Sequence, residues 1–131
     1  MTENEIARAV VDASVEVHRV LGGPGLLESI YEEALVYELE SRGLEVQRQV
    51  KVPIRYKGKR LASDLRLDLL VAEKVIVECK ATKENSPIFA AQALTYLRLL
   101  DLRLASVVNF GRRLVKDGTH RIVNGLEETM P

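Results

Sequence analysis

The chain has little of four features that commonly indicate function: cysteine, aromatic side chains, charge of one sign and long apolar runs. One cysteine, Cys79, excludes a disulfide scaffold and a zinc site built from cysteines, and is typical of a reducing compartment. Nineteen basic residues balance nineteen acidic ones, so any contact with nucleic acid needs a local basic patch. No apolar run approaches the ~18 residues that span a bilayer. We therefore expect a cytoplasmic protein with no membrane partner.

Enough apolar residues remain for one hydrophobic core, and their spacing predicts the order of the elements. Of the 131 residues 47% are hydrophobic, and no repeat or linker divides the chain, so we expect one domain over residues 1–131. Near the start, Thr2 and Glu5 form a capping signal before a helical pattern that stops at Gly22. Further on, the patterns predict a helix over 27–42, strands over 46–56, 61–71 and 75–80, a helix over 87–100, a strand over 104–110 and an edge strand over 121–123. This order implies an α/β or α+β sandwich with helices packed on a mixed sheet.

The most informative residues are polar ones in two neighbouring predicted strands: Asp68, Glu78 and Lys80. Glu78 and Lys80 are two residues apart and therefore share one face of their strand, while Cys79 points to the apolar face. Two carboxylates and a lysine on adjacent strands suit metal-assisted phosphodiester hydrolysis, in which the carboxylates hold a cation such as Mg²⁺ and the lysine offsets charge on the phosphate. The alternative is a solvated strand face with a Glu–Lys pair, and spacing alone leaves both interpretations open.

The loop between these two strands decides whether the carboxylates meet. In an antiparallel hairpin, the sequence positions of two directly opposed residues add up to the same sum for every pair. A two-residue loop at 72–73 opposes Asp68 to Val77 and places it on the wrong face, whereas a three-residue loop at 72–74 opposes Asp68 to Glu78. We predict the three-residue loop or an equivalent bulge.

A further acidic residue, Glu28, opens the second predicted helix. Tyr31 and Leu35 follow it at helical spacing, so the pattern predicts that Glu28 lies on the inward stripe. The alternative is an acidic residue in a first turn that is favoured only by the helix dipole.

A polar pair lies on a predicted buried stripe of the third helix. Gln92 and Tyr96 are four residues apart, in line with Ile88 and Leu99. Buried polar side chains need partners. The pair therefore forms either a core hydrogen bond or a contact to a nucleic-acid backbone or an active-site water.

Charge is unevenly distributed along the chain. Residues 48–60 contain six basic side chains and no acidic one, and a second basic cluster lies over 112–121, whereas the second predicted helix is rich in acidic residues, Glu32 among them. Each basic cluster is either a solvated face or a set of phosphate contacts. The residues that we expect to bind nucleic acid are Lys57, Lys59, Arg60, Arg112 and Arg113.

Taken together, these residues carry a resemblance. The run from Gly25 to Tyr31, with Glu28 between them, resembles the signature of the small bacterial GxxExxY proteins. Asp68, then Glu78-Cys79-Lys80, then Gln92 and Tyr96 resemble the D…ExK…QxxxY series of PD-(D/E)XK nucleases, close to the RecB type. Leu67 stands where the superfamily name has a proline.

The resemblance implies a fold and a set of roles. The fold is a three-layer, restriction-endonuclease-like sandwich with a central mixed β-sheet flanked by helices. Asp68 and Glu78 are metal ligands, Glu28 is an acid beside the metal and the third candidate ligand, and Lys80 is the catalytic lysine. Tyr31 is an accessory residue, and Gln92 and Tyr96 line the site. His18 is either an extra metal ligand or a core histidine, and we favour the core.

The same resemblance implies a Mg²⁺- or Mn²⁺-dependent nuclease, and we favour DNA over RNA as its substrate. A chain of this length cannot encircle much duplex, so a homodimer is compatible with this function. The alternative is a non-catalytic module of the same fold that binds nucleic acid or protein.

Overall fold

The computed structural model describes residues 1–126, and its elements follow the predicted order. β2 begins two residues earlier than predicted, because Tyr56 already pairs with Lys59 across a two-residue turn. The elements are α1 (Glu3–Val20), α2 (Glu28–Ser41), β1 (Val46–Tyr56), β2 (Lys59–Val71), β3 (Val75–Lys80), α3 (Pro87–Leu100), β4 (Leu104–Asn109), a 3₁₀ turn (Val115–Gly118) and β5 (Thr119–Val123).

Local sequence signals set the ends of the helices. Thr2 and Glu5 cap α1 reciprocally: the Thr2 hydroxyl accepts from the Glu5 N–H at 3.2 Å, and the Glu5 carboxylate accepts from the Thr2 N–H at 3.0 Å. Gly43, with φ +85°, follows α2 in the left-handed conformation that glycine adopts without strain. Ser86 caps α3, whose first turn contains Pro87. None of the helices within residues 1–126 is both long and apolar enough to span a membrane.

The five strands form one mixed sheet in the order β1-β2-β3-β4-β5. All neighbours pair antiparallel except β3 and β4, which are parallel. Two parallel neighbours need a crossover connection, and α3 supplies it. The predicted mixed sheet is therefore confirmed.

Helices cover both faces of this sheet. On one face, α1 and α2 pack against a large apolar cluster that includes Val77 and Cys79 of β3. On the other face, α3 contributes Ala93 and Leu97 to a smaller cluster around Ile76. The α+β sandwich of three layers is confirmed, and so is the prediction that Cys79 is a buried apolar residue.

β1 and β2 both change face at the level of Asp68. Leu67 packs in the α3 cluster and Leu69 in the α1–α2 cluster, although they are two residues apart. On β1, Gln49 has φ +53°, and the register is the same on either side of it. A residue with left-handed dihedrals breaks the two-residue alternation of a strand. The alternation of Leu65, Leu67 and Leu69 with polar residues predicts that the three leucines share one face, and this prediction is wrong beyond Asp68.

Candidate active site

The β2–β3 hairpin has the predicted three-residue loop. Val71 pairs with Val75, so residues 72–74 form the loop, and the last ladder pair is Leu69 with Val77. One step further along the same register, Asp68 lies opposite Glu78. The prediction that an odd loop opposes these two carboxylates is confirmed.

Beyond that last pair, side chains bridge the two strands. The Glu78 carboxylate accepts a hydrogen bond from the backbone N–H of Asp68 at 3.1 Å. In return, the Asp68 carboxylate accepts one from the backbone N–H of Cys79 at 2.8 Å. Each acid is therefore fixed by the strand that carries the other, and this reciprocal clamp holds the two carboxylates together.

The clamp is electrostatically costly when both acids are ionised. Glu78 is only 7% exposed. Its burial, and after that the negative charge of Asp68, raise the pKa of Glu78 to about 9. The positive charge of Lys80 lowers this pKa but does not cancel the increase. At neutral pH the metal-free pair therefore carries one proton. A divalent cation would stabilise the doubly ionised form in its place.

Lys80 and Tyr96 complete the polar group between β3 and α3. The Lys80 ammonium lies 4.9 Å from the centre of the Phe89 ring, on the α3 face of the sheet. Tyr96 is half-buried, and its pKa is raised by burial and by the negative charges of Glu78 and Asp68. Lys80, Tyr96 and the two carboxylates therefore occupy one neighbourhood.

Glu28 lies at the rim of this group. Its side chain is exposed, so the expectation that it shares the inward stripe of α2 is wrong. Partial burial raises its pKa first, the charge of Asp68 raises it further, and the charge of Lys80 lowers it. The charges of both residues therefore act on the Glu28 carboxyl.

The face of α3 that packs on the sheet is not the face that the sequence pattern predicts. Ile88 and Leu99 are 61% and 55% exposed, whereas the residues that face the sheet are Ala93 and Leu97. Gln92 is exposed as well. Of the predicted polar pair, only Tyr96 faces the carboxylates, and Gln92 lies one turn away from it at the helix surface.

Tyr31 and His18 belong to the core. Tyr31 stacks on Phe110 at 4.7 Å between ring centres, and its hydroxyl donates to the Gly23 carbonyl at 2.7 Å. The same hydroxyl accepts from the Leu26 N–H at 3.1 Å. His18 is buried, with a ring nitrogen 3.1 Å from the Phe110 carbonyl. Tyr31 therefore fixes the glycine-rich loop before α2, and His18 occupies the core position that we favoured.

Sequence reasoning missed a buried acid, Glu32. It is 5% exposed; one carboxylate oxygen accepts from the Arg48 Nε at 3.1 Å and the other from the Gln49 amide at 2.7 Å. These bonds tie α2 to the point on β1 where the strand changes face, opposite Asp68. Arg48 is thereby paired with a buried acid of α2, although its side chain is 39% exposed and the sequence places it in the basic cluster.

A second missed residue is Asn109, at the end of β4. Its side-chain oxygen accepts from the backbone N–H groups of Thr82 and Gly111, both at 3.0 Å, and its amide donates to the Asn85 side chain at 3.0 Å. Gly111 lies so close to this loop that a Cβ there would stand 2.2 Å from the Thr82 carbonyl oxygen. The segment that leads from Lys80 to α3 is therefore fixed by β4.

The predicted nucleic-acid contacts lie at the surface. Lys57 and Lys59 are exposed at the tip of the β1–β2 hairpin. Arg60 is exposed there too and forms an ion pair of 3.7 Å with Asp64. Arg113 is exposed and Arg112 is half-buried in the segment after β4.

The donor set fits Mg²⁺ through two carboxylates rather than three. Over residues 1–126 no group of three or more His, Cys, Asp or Glu side chains is placed to hold a metal ion, so Glu28 does not join Asp68 and Glu78 as a third clustered ligand. Mg²⁺ is commonly held by one or two carboxylates and keeps several waters. The clamped pair meets that requirement.

A family model described as the PD-(D/E)XK nuclease superfamily matches residues 4–122. No curated protein and no solved structure matches the chain at a significant level.

Proposed function

This chain belongs to the PD-(D/E)XK nuclease superfamily, and from that membership and the site geometry we propose that it hydrolyses phosphodiester bonds of DNA with the help of Mg²⁺ or Mn²⁺. The observation that carries the proposal is the reciprocal clamp between Asp68 and Glu78, with Lys80 on the same face of β3. We also assign the chain to the GxxExxY group and regard residues 1–131 as one nuclease domain.

Each residue of the site has a proposed role. Asp68 and Glu78 would hold the cation, which supplies Lewis-acid polarisation of the phosphate and an acidified water when bound. The Lys80 ammonium donates hydrogen bonds to phosphate oxygens, where it offsets the charge that develops in the transition state. Glu28, whose pKa is raised by partial burial and by the charge of Asp68, is an accessory acid beside the cation. Tyr96 closes the α3 side.

The position of the basic residues supports nucleic acid as the substrate. The exposed cations Lys59 and Arg60 lie on β2, which leads to the clamp, and Lys57 lies in the turn before them; Arg112 and Arg113 follow β4. A homodimer is compatible with this function, because one copy of so small a domain covers little duplex.

The direct test is cleavage of linear, branched and single-stranded DNA, and of RNA, with Mg²⁺ or Mn²⁺. We expect Glu78→Gln to abolish cleavage, Lys80→Ala to reduce turnover by ~10²-fold or more, Glu28→Gln to cause an intermediate loss and Gln92→Ala a smaller one. Glu33→Gln is the matched control, since it neutralises an exposed carboxylate of α2.

The proposal fails if wild-type protein neither cleaves any of these substrates nor gains thermal stability from the metal. That outcome would instead indicate the non-catalytic alternative, a module of the same fold that binds nucleic acid or protein.

A further inference from the structure

The β1–β2 hairpin extends past the part of the sheet that helices cover. Val52 and Leu65 are the outermost of its residues that pack against the α3 cluster. Beyond them lies a segment that we call the hairpin arm, residues 53–64. Every residue of β2 from Lys59 to Asp64 is exposed, as is Tyr56 at the end of β1. The arm is therefore a two-stranded ribbon that contributes almost nothing to the core.

The arm is a paired hairpin rather than a loose loop, although its register shifts between Pro53 and Arg55. Tyr56 pairs with Lys59, and Arg55 pairs with Arg60. The two turn residues, Lys57 and Gly58, have φ values of +51° and +79°, which is the tight turn that matches the natural twist of a ribbon. A preformed ribbon loses little conformational entropy when it binds.

Charge is concentrated on the arm and its base. Residues 51–66 contain six cations and one carboxylate, whereas the whole chain has a net charge of zero. Within residues 1–126 these cations are exposed, and they form one ion pair, between Arg60 and Asp64, which is long at 3.7 Å. A protein without net charge thus carries a strongly basic projection.

The length of the arm relates it to the clamp. β2 runs without interruption from Lys59 to Asp68. At about 3.3 Å per residue, nine steps of β2 correspond to roughly 30 Å at most, and the seven facing steps of β1, from Gln49 to Tyr56, correspond to roughly 23 Å, because the register shift leaves two extra residues on β2. One turn of B-form DNA is ~34 Å long, and its major groove, ~12 Å wide, admits a two-stranded ribbon. A phosphodiester at the clamp and a duplex along the arm are therefore dimensionally compatible.

We propose that the hairpin arm lies in the major groove of double-stranded DNA within one turn of the phosphodiester at the clamp, so that the substrate class of this site is duplex DNA. The inference rests on the proposed nuclease function and specifies its substrate. The deep, narrow major groove of duplex RNA excludes such a ribbon. Single strands are usually bound by stacking on aromatic rings, and only Tyr37 and Tyr56 are prominently exposed within residues 1–126.

Binding measurements without divalent metal test the arm independently of cleavage. Fluorescence anisotropy compares a DNA duplex of about two turns with a DNA stem-loop shorter than one turn, the single strand, and duplex RNA of the same sequence. The variant is Lys57→Ala/Lys59→Ala/Arg60→Ala. The control is Arg8→Ala/Arg42→Ala/Arg98→Ala, which removes the same charge from exposed positions on the helices or their ends.

We expect wild type to prefer the long duplex. The arm variant should lose that preference, and the slope of log affinity against log salt should decrease by about one unit per lost phosphate contact, hence by up to about 3. The control should keep both the preference and the slope. Circular dichroism verifies that each variant is folded.

Three results would overturn the proposal. The first is an equal loss of duplex affinity in the arm variant and in the control. The others are equal affinity of wild type for the short stem-loop and the long duplex, and tighter binding of single strands or RNA than of duplex DNA. If wild type cleaves DNA and any of these results is obtained, the nuclease function is supported and the role of the arm is refuted. Conversely, if wild type binds duplex DNA through the arm but never cleaves it, the nuclease function is refuted and the role of the arm is supported.

Discussion

The buried carboxyl of Glu78 makes the metal-free protein less stable as the pH rises. Its pKa is raised from the ordinary 4.5 to about 9 by burial and by Asp68, so between these values the folded protein binds a proton that the unfolded chain has released. The contribution of Glu78 to the unfolding free energy is therefore largest below pH 4.5. It decreases as the pH rises from 4.5 to about 9. Glu78→Gln removes this dependence, because glutamine resembles the protonated acid: its oxygen can accept from the Asp68 N–H and its amide can donate to the Asp68 carboxylate.

The size of the effect follows from the shift. One pKa unit corresponds to about 1.36 kcal/mol, so the full shift corresponds to roughly 6 kcal/mol at pH 9 and above. We expect about half of this, ~3 kcal/mol, because the pair can relax and admit water once both acids are ionised. For a chain of this size that difference corresponds to ~10 °C in melting temperature.

Thermal and urea unfolding in a chelator, between pH 5 and pH 9, measures this difference. Wild type and Glu78→Gln should have similar stability at pH 5 and separate progressively towards pH 9, with the variant the more stable, whereas Glu33→Gln should follow wild type. Saturating Mg²⁺ should flatten the wild-type profile, since the cation replaces the proton. Parallel profiles of wild type and Glu78→Gln over the whole range would refute the reasoning.

Three further outcomes are expected. Mg²⁺ or Mn²⁺ should raise the melting temperature of wild type and of Lys80→Ala but not of Glu78→Gln, as differential scanning fluorimetry can show; a shift retained in Glu78→Gln would contradict the role of that carboxylate. Glu32→Ala removes the buried carboxylate that accepts hydrogen bonds from Arg48 and Gln49 and should cost about 1–2 kcal/mol in urea unfolding, because Arg48 is 39% exposed and water can replace its partner; an unchanged stability would show that these bonds contribute nothing. Gly111→Ala places a methyl group against the Thr82 carbonyl and should cost more than ~2 kcal/mol; wild-type stability in this variant would show that the loop yields.

The features that sequence predicts correctly here are those set by neighbouring residues. The Thr2–Glu5 cap and the glycine after α2 act within a single turn, and the opposition of Asp68 to Glu78 follows from the length of the connecting loop. In each case the physical cause lies within about ten residues of its effect.

The features that sequence misses depend on distant partners or lack a local signal. Glu32 resembles its exposed neighbour Glu33 in type, and only the contacts to Arg48 and Gln49, sixteen and seventeen residues away, distinguish it. The phase of α3 is ambiguous because apolar residues surround the helix, and Leu99 stays exposed. The change of face on β1 occurs at a glutamine with positive φ, a conformation that sequence patterns assign to glycine.

The clamp between Asp68 and Glu78 also determines where the chain can accommodate insertions and deletions. The clamp fixes the interval from Asp68 to Glu78 at ten residues, because one residue more or fewer in the loop would turn one carboxylate away from the other. The connection from Gln49 to Asp68 is free of that restriction, since the hairpin arm can lengthen or shorten by equal numbers of residues on both strands, and adding two to each preserves every side-chain direction at its base. Reach along a substrate can therefore vary by steps of about 7 Å while the distance between the two carboxylates stays constant.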